Sequence, residues 1–325
     1  MNVTPDHPSG PGRATIALAV LTVVTLWALN FIAGKIALRT LPSPAVASFR
    51  VFLSGLAMLP AYLIFSRTAA FADALQTRAR GFHARDLWTF FYLGFFGVVI
   101  NQMCFAIGLN HTSVSHGAVI IGMAPVYTLA LAVIFGIEKA TLRKLFGIAL
   151  AFAGIAVLAA EKGATNHSAS LKGDGIMMAG AIGFAVYSVL GKRVAAQYDA
   201  LTMTAFNHFT GAVVVLPVVL YQVHFLLADE RWRHVPWQSW TAITYMAVFS
   251  SAVAYVLYFW LLKYLHASQL AAFTYLLPVV ATPLGIVWLG ERGTWLELVG
   301  GALALFGVYW IQPPRPKRER SPVLT

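Results

Sequence analysis

Nothing in the sequence is spaced like an enzyme's working parts. Phosphate-cradling Gly loops, His-Glu-x-x-His, paired cysteine ligands and Gly-x-Ser-x-Gly are all absent. What stands out instead are polar and aromatic side chains set singly inside long apolar runs. Trp27 and Asn30 are three residues apart, on one face of a helix, in the first such run. Asn101 and Gln102, Tyr187, Asn207 and His208, and Tyr255 and Tyr258 follow in later runs. An amide in lipid must find a partner, so Asn30 either bonds a neighbouring helix or holds a polar group of a solute in a wet cavity. A Ser54 and His208 dyad could be assembled from different helices for covalent chemistry, but hydroxyls in membrane helices usually bond their own backbone or a neighbouring helix.

The carboxylates narrow the chemistry further. Asp86, Glu138, Glu161, Asp174, Glu291 and Glu297 all fall at the ends of apolar runs or between them, so His208 is the one titratable candidate at mid-depth. Strong proton coupling is therefore not expected. Arg50, about two turns from the outer end of its run, is expected to snorkel outward. The deeper aromatics Trp27, Phe49, Tyr127, Tyr187, Tyr255 and Tyr258 could line an apolar pocket, with Asn30, Asn101, Tyr187, Asn207 and His208 supplying polar contacts. No catalytic, cofactor or metal-ligating set is expected.

The elements that position these residues follow from composition. Hydrophobic residues make up 59% of the chain and charged ones 11%, against about 45–50% and about 25% in soluble domains. Runs long enough to cross about 30 Å of hydrocarbon, at about 20 residues each, recur with short polar breaks. They are placed near 14–38, 44–66, 86–109, 115–136 and 142–160, then 174–194, 200–224, 239–262, 268–289 and 294–311. Lipid offers no partner for a bare N–H or C=O, so the runs must be helices. The single cysteine, Cys104, allows no internal disulfide, and the N-terminal stretch lacks the pattern of a removable signal peptide. The net charge of +11 is scattered between apolar runs and gathered in the tail around Arg315 to Arg320, which fits membrane topology and not nucleic acid.

The runs form two copies. Displacing the chain by 153 residues matches Ser115 with Ser268, Pro125 with Pro278, Glu138 with Glu291, Thr141 with Thr294, and the stripe Gly147/Ala151/Gly154 with Gly300/Ala304/Gly307. Earlier in the unit the displacement is 157, matching Gly34-Lys35 with Gly191-Lys192, Asn30 with Tyr187, Phe49 with Phe206, Arg50 with Asn207 and Pro60 with Pro217. An odd number of spans per copy forces the copies into opposite orientations. The matched loops agree: Lys139, Arg143 and Lys144 follow Glu138, whereas Arg292 and Glu297 follow Glu291. Both termini inside puts about two thirds of all Lys and Arg in the cytoplasm. Pro125 and Pro278 are matched helix kinks, the small-residue stripes are close-packing faces, and Trp88, Trp232, Trp237, Trp240, Trp295 and Trp310 are expected at the headgroups.

Trp27-Ala-Leu-Asn-Phe-Ile-Ala-Gly-Lys35, Phe49-Arg50, and the repeated Pro125…Glu138 and Pro278…Glu291 units, each followed by a Gly-rich final helix, together resemble the EamA family of the drug/metabolite transporter superfamily over about residues 14–311. Within it the chain looks most like the YddG-type exporters of aromatic amino acids. The resemblance implies a ten-helix exporter working by alternating access, its pocket lined by helices one to four and six to nine with five and ten at the periphery. The second copy departs from the Trp-x-x-Asn pattern, having Phe184 and Tyr187 there.

The expectation is thus an all-α polytopic membrane protein with ten transmembrane helices as two inverted five-helix repeats, 14–160 and 174–311, between cytoplasmic tails 1–13 and 312–325. Its expected role is inner-membrane export of aromatic and other neutral amino acids or related metabolites. A channel-like facilitator and an intramembrane enzyme are the rivals. The expected partners are a small-molecule substrate and the lipid bilayer, with no nucleic acid, and the protein is either a monomer or a homodimer.

Overall fold

The computed structural model describes residues 11–65, 84–135, 139, 141–159, 170–195, 198–228, 230–265, 270, 273–291 and 293–311. The two tails, most of the loop after the second helix, and Glu138, Glu161 and Ser268 lie outside them.

The apolar runs fold as helices. The first four are α1 (Arg13–Leu38), α2 (Ser43–Phe65), α3 (Ala84–Gly94, Phe95–Ile100 and Asn101–Leu109) and α4 (Val114–Gly122 and Ala124–Ile134). Next come α5 (Leu142–Ala159), α6 (Leu171–Ala195) and α7 (Ala200–Ala228). The chain then forms α8 (Trp237–Tyr245, Met246–Val253 and Ala254–Tyr264), α9 (Phe273–Tyr275 and Leu276–Leu289) and α10 (Trp295–Ile311). Seven of these are long and apolar enough to cross a membrane, and Phe273–Leu289 and Trp295–Trp310 are shorter apolar helices. Large apolar side chains such as Leu18, Ile134, Leu142, Tyr221 and Val287 stand exposed on the outside of the bundle, as lipid-facing residues do. The six tryptophans expected at the headgroups are all at least partly exposed, from Trp240 at 36% to Trp295 at 74%.

Packing is symmetrical under exchange of the two halves. α2 lies along α7 and α5 along α10, each helix against its own counterpart. α3 packs on α6 as α8 packs on α1, and α4 packs on α6 as α9 packs on α1. Small residues make the α5–α10 contact possible. A Cβ on Gly154 would sit 2.4 Å from the backbone N of Ala304, and one on Gly307 would sit 2.5 Å from that of Ala151. The two stripes found in the sequence therefore pack on each other within one chain.

Two departures from regular helix are also paired. α3 and α8 each carry a π-helical stretch, Phe95–Ile100 and Met246–Val253, at matched places in the two copies. A π turn loosens the backbone ladder and exposes carbonyl groups to other donors. α4 stops at Gly122 and restarts at Ala124, which puts Pro125 in a first turn where its missing N–H costs nothing. α9 begins as a 3-10 turn before Leu276, so Pro278 also stands in a first turn. The two interruptions meet: the Thr274 hydroxyl donates to the Gly122 carbonyl oxygen at 3.1 Å. A restarted helix, more than a bend in a continuous one, is what each proline accompanies.

Candidate functional site

Where the halves face each other the bundle leaves a cavity, about 550 Å³ of space free of atoms, part of it open to solvent. Its wall is mostly apolar and carries five aromatic rings, Trp27 and Phe31 from α1, Phe105 from α3, Phe184 from α6 and Tyr255 from α8. Three pairs in that wall are matched by the internal repeat: Trp27 with Phe184, Ile121 with Thr274, and Ala124 with Leu277. A space lined by both members of several such pairs lies on the axis that relates the halves.

The π stretches anchor the wall. The Trp27 indole N–H donates to the Ser250 carbonyl oxygen at 3.1 Å, and the Tyr255 hydroxyl lies 3.3 Å from the Gly97 carbonyl oxygen. Gly97 and Ser250 are themselves matched positions, so each half's ring is tied to the other half's loosened turn. Tyr255 also lies 3.1 Å from Asn101 Oδ1, and Asn101 Nδ2 donates to the Gly180 carbonyl oxygen at 3.0 Å. The Trp27, Phe184, Tyr255 and Tyr258 rings then pack edge to face or tilted, with centroids 5.4 to 6.1 Å apart.

Of the residues picked out by sequence, Trp27, Asn30, Asn101 and Tyr255 line this cavity. Tyr258 lines a smaller neighbouring space with Trp27, Val20 and Leu261. Tyr187, Asn207 and His208 lie behind the wall and are fully buried. Asn207 Nδ2 donates to the Tyr187 hydroxyl at 3.1 Å, and the His208 ring stands edge-on to Tyr255 with centroids 5.0 Å apart. His208 Nδ1 lies 2.9 Å from the Thr204 carbonyl oxygen, which can only accept, so Nδ1 carries the proton. Ser54 donates to Val51 in its own helix, and no hydrogen bond joins it to His208. Phe49 and Tyr127 are not brought to the cavity. Phe49 packs on Trp240 at 6.1 Å, and Tyr127 belongs to a separate core with Phe152, Ala151 and Val308.

Arg50 overturns its expectation. It does not snorkel outward but points into the cavity, only 4% exposed. Its Nε donates to Ser251 Oγ at 3.2 Å and its guanidinium lies over the Phe105 ring at 5.2 Å from the centroid. These two contacts fix the side chain along the bundle interior. The repeat carried the missed signal, since Arg50 is matched to the equally buried Asn207.

A second polar network, absent from the sequence reading, joins helix ends on one side of the bundle. His116 Nδ1 lies 3.1 Å from Asp174 and its Nε2 3.8 Å from Glu297, while Thr112 donates to Asp174. Glu291 accepts from the backbone N–H of Val114 at 2.9 Å, and Lys35 donates to the Thr112 carbonyl oxygen at 2.6 Å. Five helix ends, of α1, α4, α6, α9 and α10, are thereby fastened together beyond the cavity. The sequence showed each carboxylate at a span end without showing that the ends converge.

Comparison with known proteins agrees with this architecture. An uncharacterized transporter of Archaeoglobus fulgidus is 27% identical over 292 residues, 90% of this chain and 96% of that protein. A probable terminal-alkyne amino-acid exporter of Streptantibioticus cattleyicolor is 29% identical over 302 residues, 93% of this chain and 94% of that protein. A crystal structure with a TM-score of 0.59 and 18% identity covers 92% of this chain and 96% of its own, and shows the same fold. The model of the EamA-like transporter family matches twice, over residues 14–160 and 171–312. With both halves matched, the chain belongs to the EamA-like transporter family and is a multi-pass membrane transporter.

Proposed function

We propose that this chain exports aromatic and other neutral amino acids, or closely related metabolites, by alternating access. The observation that carries the reading is the cavity wall built from repeat-matched pairs, Trp27 with Phe184, Ile121 with Thr274 and Ala124 with Leu277. A space on the axis between two like halves can be opened to either side by rocking one half against the other. Ten crossing segments, with repeats at 14–160 and 174–311 in opposite orientations, give that motion its geometry. In this reading the membrane is the inner one and both termini are cytoplasmic, an orientation the positive-inside balance supports. The aromatic wall suits a solute with an apolar side chain, and a relative bearing the name of a probable amino-acid exporter supports the class.

The test is transport by the purified chain in proteoliposomes, with radiolabelled amino acids offered one at a time. Alternating access predicts counterflow exchange faster than net flux, because the loaded carrier turns over without an empty return step. Net flux equal to exchange would mark a channel-like facilitator, and no movement of any amino acid would remove the substrate class.

A further inference from the structure

We infer that Arg50 is the anion receptor of the cavity, so that the transported solute carries a carboxylate gripped by its guanidinium, with the solute's amino group set against the side-chain oxygen of Asn30. The inference rests on the proposed transport function and deepens it.

The case begins with an unmet charge. Arg50 is buried, its Nε is engaged by Ser251, and Phe105 supports its face, yet Nη1 has no hydrogen-bond partner. Among the described residues no carboxylate pairs with it. An isolated charge at membrane depth costs several kcal/mol, and such residues are rare and functional as a rule. Among the described residues that line the cavity, Arg50 is also the one cationic side chain.

The second half shows what the same positions look like when they are filled. Asn207 and Tyr187, the counterparts of Arg50 and Asn30, bond each other at 3.1 Å and stand behind the wall, so that Asn207 Oδ1, though it too lacks a partner, is not part of the cavity lining. In the first half the pair stays open. Arg50 and Asn30 both line the cavity, each with a buried polar atom lacking a partner, Nη1 on one and Oδ1 on the other. One niche is closed by its own side chains, and its pseudosymmetric twin is left for something else.

The two open atoms specify complementary groups. A guanidinium fork with Nε already committed offers its remaining N–H groups to a planar oxyanion, and a carboxylate fits that geometry. Asn30 Oδ1 only accepts, which suits an ammonium. A single cation balances a monoanion better than a doubly charged phosphate. The rings of Trp27, Phe105, Phe184 and Tyr255 receive the apolar remainder of the solute. Together these describe an α-amino acid with an apolar or aromatic side chain.

Binding to the purified full chain, read by competition against radiolabelled L-phenylalanine and L-leucine, separates the parts. Unlabelled L-phenylalanine should compete best, 3-phenylpropionate should keep much of that affinity, and inorganic phosphate should not compete. Phenethylamine, which lacks the carboxylate, should be weaker by about 30-fold or more, the loss expected on removing one partner of a buried charge pair. Arg50→Gln should remove most of that difference while leaving phenethylamine affinity near its original value, and Arg50→Lys should recover part of it. Phenethylamine competing as well as L-phenylalanine in the unaltered protein would overturn the receptor role while leaving transport of aromatic solutes standing. So would an Arg50→Gln variant that weakens all three aromatic ligands equally. If neither labelled amino acid binds the unaltered protein, the transport reading itself falls, and the inference with it.

Discussion

The Trp27 indole N–H and the Ser250 carbonyl oxygen, 3.1 Å apart, join the first half of the molecule to the second at the cavity wall. The reciprocal contact, Tyr255 to Gly97 at 3.3 Å, uses the matched carbonyl in the other π stretch. Because both bonds cross between halves, any rocking of one half on the other must strain or exchange them.

Trp27→Phe keeps a ring in the wall and removes only the donor. The Ser250 carbonyl then loses its bond to the other half, at a cost of about 1 kcal/mol. Exchange rates in proteoliposomes should change several-fold, with the yield of folded protein nearly unaltered. An unchanged rate would show that this bond plays no part in the cycle.

Tyr187→Phe tests the closed niche in the second half. It removes the acceptor of the Asn207 amide, 3.1 Å away, without changing the ring that packs on Gly97. Hydrogen bonds between membrane helices are worth about 0.6 to 1.7 kcal/mol. Thermal unfolding in detergent should drop by a few degrees, while ligand preference stays as it was.

Gly154→Val probes the α5–α10 contact. A Cβ there would lie 2.4 Å from the Ala304 backbone N and 2.6 Å from the Gly300 carbonyl oxygen. Backbone cannot swing aside as a side-chain tip does, so the helices must separate, at a cost of about 3 kcal/mol or more. Gel filtration should show loss of the monodisperse peak. The same substitution at Gly175, where a Cβ meets nothing, should leave it intact.

Asp174→Asn tests the network of helix ends. Asp174 takes contacts from both His116 and Thr112, so an uncharged amide of the same shape weakens the fastening without leaving a hole. In a Cys104→Ala background, a cysteine placed at Ile121 in the cavity wall should react several-fold faster with a membrane-impermeant thiol reagent once Asp174 is neutralised. Equal labelling rates would mean that these contacts do not hold that side shut.

The sequence was legible where one chemical requirement acts alone. Apolar length marks the helices, and the Gly/Ala stripes mark close-packing faces because only small residues let two backbones approach so closely, though not that the two stripes meet each other within one chain. It was less legible where two distant segments settle the outcome. Arg50 read as an outward-reaching cation because its depth in α2 was visible and its holders, Ser251 and Phe105, were on other helices. Phe49 and Tyr127 read as deep aromatics, but depth along a helix does not say which face turns toward the cavity. The π stretches left no signature at all, since Phe95–Ile100 and Met246–Val253 are ordinary apolar residues and the widening of the turn depends on their surroundings.

A widened turn carries a surplus residue compared with a plain α-helix covering the same rise. Drawing either stretch, around Val98 in α3 or Val248 in α8, into regular α spacing with every residue kept would spin everything downstream by about 100°, one α-helical step. Asn101 would swing off its bearing in the first case and Tyr255 in the second. Both insertions thus act as angular shims, setting which way each helix's later half looks.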